Sequence, residues 1–441
     1  MLPTLSEQEL ATRLEAYDFE QPRSLEEMTE EMADLLERGS LHATHPRYFG
    51  LFVPGVREAG VVGDALAAVY NPQLGSWWHG PAAAHIERHT LEFFCARIGL
   101  PESAFACFTT GGSEANLTGV LAALAAKFPR HPEEGLVGAP PIFYASDQAH
   151  DSFVKIARSA GLGARALRRV RSDAGHRLDV EVLESMIASD RARGERPFLV
   201  VATVGTTATG AVDPLARIAD LCAREGLWMH ADAAWGGIAL LSKRLRQHVS
   251  GIERADSVTW DAHKTLPVPM GAGMFFVRER RHTEAVFSVR TAYVPDSEPG
   301  TLDAYQQTIQ WSRRFIGLKV FLTLAELGRD GVERIIDGQA AMAELLRHAL
   351  RADGWAIMNE TLLPVVCVRD GDASPSRTTA LVRSVIEEGI VWISEVRLPD
   401  EQRWLRACIT HADVGPTDVR ALVEALGRAR ARLALESRES R

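Results

Sequence analysis

Cysteine is scarce. The five in 441 residues (Cys95, Cys107, Cys222, Cys367, Cys408) are odd in number and widely spaced, with no C-x-x-C pair. That excludes a disulfide framework and a zinc ribbon, and fits a reducing cytoplasm. No stretch reaches the ~18 uninterrupted apolar residues of a membrane span. The start, Met1-Leu2-Pro3, soon turns acidic and lacks the basic region and apolar run of a leader. A soluble, unexported protein is expected. Basic clusters are missing too: 49 Lys and Arg are interspersed with 58 Asp and Glu, for a net charge of −9. Nothing in that pattern could follow a phosphate backbone, so nucleic acid is not an expected partner.

What is present is an ordinary globular composition, 46% hydrophobic and 24% charged, in a chain too long for one small core. An N-terminal helical segment, residues 1–74, is expected, because its first 45 residues carry apolar positions at helical spacing (Leu5, Leu10, Leu14, then Met28, Met32, Leu35, Leu36). Such helices cannot bury their stripe alone, which favours packing on a second subunit. Residues 75–330 alternate helical stretches with short apolar runs. These end in polar residues: 106–108 before Thr109, 141–145 before Ser146, 198–204 before Gly205, 227–231 before Asp232, and 257–260 before Asp261. Short non-alternating runs suit strands covered on both faces, so an α/β domain with a large, mostly parallel sheet is expected. Ligands in such sheets gather outside the carboxyl ends of the strands. A helical pattern over 311–352 leads into a smaller C-terminal α+β domain, residues 331–441, with strands at 364–368, 390–393 and 405–409 and a final helix near 418–435.

Three segments carry chemistry. Thr109-Thr110-Gly111-Gly112-Ser113-Glu114 follows a strand and opens a helix, so its glycines and free N–H groups suit one phosphate group. A plain capped turn fits that segment alone equally well. His230-Ala231-Asp232-Ala233-Ala234 ends another strand. There a buried carboxylate needs a partner such as a protonated pyridine nitrogen, and small residues including Ala234 leave room for a flat ring. Asp261-Ala262-His263-Lys264 puts a lysine between buried-looking segments, where a partly dry amine can form an imine with an aldehyde.

Together with YASDQAHDSFVKIA (144–157), VATVGTTATGAVDP (201–214) and SRRFIGLKVF (312–321), these segments resemble the group II pyridoxal 5'-phosphate (PLP)-dependent decarboxylases of the aspartate-aminotransferase fold. That family covers aromatic amino acid, glutamate and cysteine sulfinate decarboxylases. The resemblance implies PLP held as a Schiff base on Lys264, Asp232 as pyridinium partner and His150 stacked on the ring. It also implies phosphate contacts from Gly112 and Ser113, Thr206 or Thr207 near the ring, and His263 touching phosphate or substrate. Tyr293 resembles the loop tyrosine that returns a proton after carbon dioxide leaves, which favours decarboxylation over oxidative deamination. A homodimer with its active site at the interface is implied as well.

The chain departs from the family where Asn-Pro before the His-Lys pair becomes Asp261-Ala262, which leaves a phosphate contact there open. Trp77, Trp78, His79 and Phe49 are candidates for an aromatic pocket, and Arg47, His79 or Arg290 for holding a second carboxylate; the balance leans to an aromatic substrate. Alternatives are an acidic amino acid substrate, aldehyde synthesis, transamination, or a non-catalytic PLP-binding protein. His85, Glu87 and His89 have metal-like spacing but no third ligand in order, and read as a solvated or partner-facing helix. The basic cluster at 165–171 reads as surface.

Overall fold

The apolar runs become a seven-stranded sheet in the computed structural model, which describes residues 2–289, 291–292, 300–371 and 373–439. Its strands are β1 (Phe105–Thr109), β2 (Pro141–Ser146), β3 (Leu167–Val170), β4 (Arg196–Thr203), β5 (Trp228–Asp232), β6 (Ser257–Asp261) and β7 (Gly273–Val277). They lie in the order β1-β7-β6-β5-β4-β2-β3. Only β7 runs against its neighbours; the other pairs are parallel. Strands β2, β5, β6 and β7 are buried at every position, as strands with helices on both faces must be. One core layer holds Phe94, Phe108, Leu183 and Trp260, and the other holds Phe143, Phe153, Phe198 and Phe275.

The 165–171 cluster is not simply surface: Leu167–Val170 forms the edge strand β3, paired with β2. Arg169 Nη1 donates to the carbonyls of Ser146 and Ala149, both at 3.1 Å, and Arg168 Nη2 donates to Glu195 at 3.0 Å. The two arginines bind and terminate the sheet edge, which hides the strand from a hydrophobicity pattern.

A second sheet comprises β8 (Ala356–Ile357), β9 (Val365–Arg369), β10 (Ser394–Arg397) and β11 (Arg403–Cys408). It is antiparallel in the order β10-β11-β9-β8. Leu346, Leu381 and Leu422 of the helices Gly317–Ala352, Pro375–Glu387 and Pro416–Glu439 pack into its core. The expected strand at 390–393 begins later, at Ser394. Val391 and Ile393 are buried in the core while Trp392 makes one bridge to Tyr48 and stacks on its ring at 5.2 Å. The helix Gly317–Ala352 bends at Gly328, whose φ of 59° is left-handed.

The helices Glu7–Glu15 and Leu25–Gly39 start at serine caps, Ser6 with Glu9 forming a capping box. Neither buries a single residue, and Leu25 and Leu36 are 76% and 62% exposed. No helix among the described residues is long and apolar enough to cross a membrane.

Candidate active site

The carboxyl ends of β1, β2, β4, β5 and β6 meet around a cavity of about 500 Å³. It is lined by Gly112, Ser113, His150, Thr207, Asp232, Ala234, His263 and Lys264. Of the residues that the resemblance assigns to cofactor or catalysis, all but Thr206 and Tyr293 are therefore brought together. Thr206 is fully buried inside its own turn, its Oγ1 bonded to Thr209 Oγ1 at 2.8 Å and accepting from the Ala211 amide at 3.1 Å. Thr207 reaches the cavity instead. Tyr293, like Arg290, lies outside the described residues. Two other cavities, of about 530 and about 710 Å³, contain no lysine; chemistry, not size, picks out the site.

The helix Gly112–Lys127 starts without a side-chain cap, so its first N–H groups and the positive end of its dipole face the cavity. Gly112 is required there, because a Cβ would lie 2.8 Å from Asp261 Oδ2 and 3.4 Å from Ala234 Cβ. Glu114 would place a second negative charge beside this cradle, but its carboxylate is turned into the loop. It accepts from the Thr110 amide and hydroxyl at 2.8 and 2.7 Å and from Gln310 Nε2 at 2.8 Å. Gly112→Ala is expected to weaken cofactor binding about tenfold or more in Kd, the scale of overpacking a tight contact. Absorbance titration of the apo-protein measures this.

Lys264 Nζ lies 2.8 Å from Asp261 Oδ2. Asp261 is completely buried, and neither of its oxygens receives a directed hydrogen bond from the described residues, so the contact is charge to charge. His263 Nδ1 accepts from the Ala272 amide at 3.1 Å, and burial pushes its imidazole pKa down, which keeps the ring neutral. Across the cavity, Asp232 is 5% exposed; its Oδ1 accepts from the Ala234 amide and its Oδ2 from Asn116 Nδ2, both at 3.1 Å. His150 is exposed to the cavity, its Nδ1 accepting from the Ser152 amide at 3.2 Å.

Behind Asp232, His230 is fully buried, and desolvation lowers its pKa from 6.5 to about 3. An unfolded chain would protonate this histidine below pH 6.5 while the fold would not. Its contribution to stability is therefore complete above pH 6.5 and is lost as the pH falls toward 3, at up to about 1.4 kcal/mol per pH unit. Urea unfolding at pH 7 and pH 5 should show a larger loss for the native chain than for His230→Asn.

The walls were not visible in the sequence. Leu51, Phe52, Val53, Trp235 and Met270 line the cavity, and Phe52 stacks on Trp235 with ring centroids 4.4 Å apart. Trp77 instead lines the 710 Å³ cavity, Phe49 belongs to the core of the small sheet, and Arg47 pairs with Asp418 at 3.0 Å. No arginine lines the active-site cavity among the described residues. Arg406 on β11 holds the rim from behind: it donates to the carbonyls of Thr207 and Gly50 at 2.6 and 3.0 Å and to Ser394 Oγ at 3.0 Å.

The metal-like spacing dissolves. Glu87 turns inward to Arg313 at 2.7 Å while His85 and His89 stay exposed, and no three metal-ligating side chains cluster among the described residues.

A lysine, a buried carboxylate and an uncapped glycine-rich helix start share one cavity, a set of groups whose chemistry suits an aldehyde cofactor carrying a phosphate. The chain belongs to the pyridoxal-dependent decarboxylase family, whose conserved-domain model matches residues 8–370; an aminotransferase class I and II model matches residues 322–426. It is 33% identical to an aromatic-L-amino-acid decarboxylase of Bacillus atrophaeus over 372 residues, 82% of this chain and 76% of that one. It is also 33% identical to the cysteine sulfinic acid decarboxylase of Mus musculus over 334 residues, 74% and 68% of the two chains. The Oryza sativa TDC structure with PLP and tryptamine superposes with a TM-score of 0.92 at 25% identity, covering 98% of this chain and 93% of that one. The protein is thus a PLP-dependent carboxy-lyase acting on an amino acid, with the aspartate-aminotransferase type of fold.

Proposed function

We propose that the substrate is an aromatic L-amino acid, released as its amine and carbon dioxide. One observation carries this: the cavity wall is Leu51, Phe52, Val53, Trp235 and Met270, with no arginine among the described lining residues to hold a second carboxylate. Apolar and aromatic walls favour a flat apolar side chain. Decarboxylation of the twenty amino acids, with each amine identified, tests the reading. Turnover of an aromatic amino acid at least about tenfold faster than of aspartate, glutamate or cysteine sulfinate is expected; the reverse order overturns it.

Bound PLP supplies the electron sink for the broken Cα–carboxylate bond. Lys264 would hold the cofactor's aldehyde carbon, and Asp232, anchored by Asn116 and Ala234, would keep the ring nitrogen protonated. The helix start at Gly112 and Ser113 would hold phosphate, and His150 would cover the ring face. Thr207, Ala234 and His263 would complete the cradle. Tyr293 would return the proton to Cα as a general acid.

In the same reading the chain has an N-terminal segment, 1–74, a large domain, 75–330, and a small domain, 331–441. It works as a cytoplasmic homodimer. The unburied stripes of the two N-terminal helices support the dimer, as do Val61, Val69 and Tyr70, which are 50%, 79% and 79% exposed. Light scattering on the native protein should give twice the chain mass, and removal of residues 1–40 should weaken the dimer.

A further inference from the structure

We infer that His230 is a positioning residue that fixes the orientation of Asp232 through Asn116, as the middle link of a one-way chain of hydrogen bonds. The inference rests on the proposed role of Asp232.

Five side chains form the chain, and all are buried: Trp228 4%, Ser257 0%, His230 0%, Asn116 2% and Asp232 5% exposed. Trp228 Nε1 donates to Ser257 Oγ at 2.9 Å, and Ser257 Oγ lies 2.8 Å from His230 Nδ1. His230 Nε2 lies 2.9 Å from Asn116 Oδ1, and Asn116 Nδ2 lies 3.1 Å from Asp232 Oδ2.

The chemistry of the two ends sets the direction. A carboxylate only accepts, so Asn116 must turn its amide N–H to Asp232 and its oxygen to His230. His230 Nε2 must then carry a proton. In a neutral imidazole Nδ1 is left as acceptor, and Ser257 must donate to it. At the far end the indole of Trp228 only donates, which occupies Ser257 Oγ as an acceptor and leaves its proton free for His230. Both ends therefore demand the same tautomer. Thr259 Oγ1, at 3.3 Å from Nε2, is placed to share that proton. The imidazole is kept neutral by its burial. Gly119 lets the helix Gly112–Lys127 press onto the ring, since a Cβ there would lie 2.7 Å from its Cε1 and Nδ1.

The consequence is that Asn116 cannot flip. Flipped, it would set its oxygen against Asp232 Oδ2. Locked, it and the Ala234 amide hold one oxygen each, and the carboxylate plane is fixed toward the cavity.

The holoenzyme tests this with Ser257→Ala, which removes one atom far from the cavity, with His230→Phe, with Asn116→Leu, and with the double variant Asn116→Leu/His230→Phe. Each single change is expected to lower kcat about tenfold, as loss of an outer partner of an active-site group does, with KM changed less than about twofold. The pH dependence of the bound cofactor's visible absorption should shift with it. The double variant should lose little more than Asn116→Leu alone, because His230 acts through Asn116. Multiplying losses would overturn the inference. So would variants, Ser257→Ala included, that lower only the melting temperature and leave kcat and the absorption profile as in the native enzyme. If Asp232 variants themselves leave turnover unchanged, the proposed role of Asp232 fails instead, which separates the two outcomes.

Discussion

Replacing Lys264 by Ala will lower kcat by at least about 10³-fold, the scale on which removing a covalent catalytic group acts. The purified variant will show no visible absorption that borohydride can trap. The geometry gives the reason: Lys264 is the one lysine lining the cavity among the described residues, in the same lining as Gly112 and Asp232. The change also strips Asp261 of its counter-cation at 2.8 Å, and an unpaired buried charge is destabilising. The double variant Lys264→Ala/Asp261→Asn separates the two effects. It should regain melting temperature and remain inactive. Full turnover by either variant would remove the basis of the proposed mechanism.

The second large effect is expected at Asp232. Asp232→Asn keeps the shape and removes the charge, so under the proposed role the ring nitrogen would lose the anion that keeps it protonated and the electron sink would weaken. A fall in kcat of about 10²–10³-fold, with a smaller change in KM, is expected, comparable with removal of one preorganised electrostatic group from an active site. Asp232→Glu should retain more activity than Asp232→Asn, because it keeps the charge. Steady-state kinetics with a coupled carbon dioxide assay decides both. Equal activity of the Asn variant and the native enzyme would sink the assignment.

Much of the site was legible because its chemistry is local. Asp232 ends a strand and Gly112 and Lys264 each sit three residues beyond one, and the sheet gathers those ends without further information. The strands buried on both faces were legible for the same reason. The edge strand β3 was not, because Arg168 and Arg169 use their donors to close the sheet edge and break the apolar pattern. The cavity walls were illegible for a different reason. Leu51, Phe52 and Val53 come from a stretch with no helical or strand period, held in place by Arg406 some 350 residues away. Trp77 and Phe49 looked like pocket residues because aromatic composition does not say which side of a chain faces the ligand. Thr206 and Thr207 differ by one position, and only the turn closed by Thr209 and Ala211 decides which one faces inward.

Arg406 gives the molecule a mechanical property. One rigid planar fork grips the strip that carries the pocket wall, the threonine rim and the edge of the C-terminal sheet at once. A shift of any one of the three must either break its bond to Arg406 or carry that side chain along, so the arginine ties the wall at Gly50 and the rim at Thr207 to a strand of the other sheet.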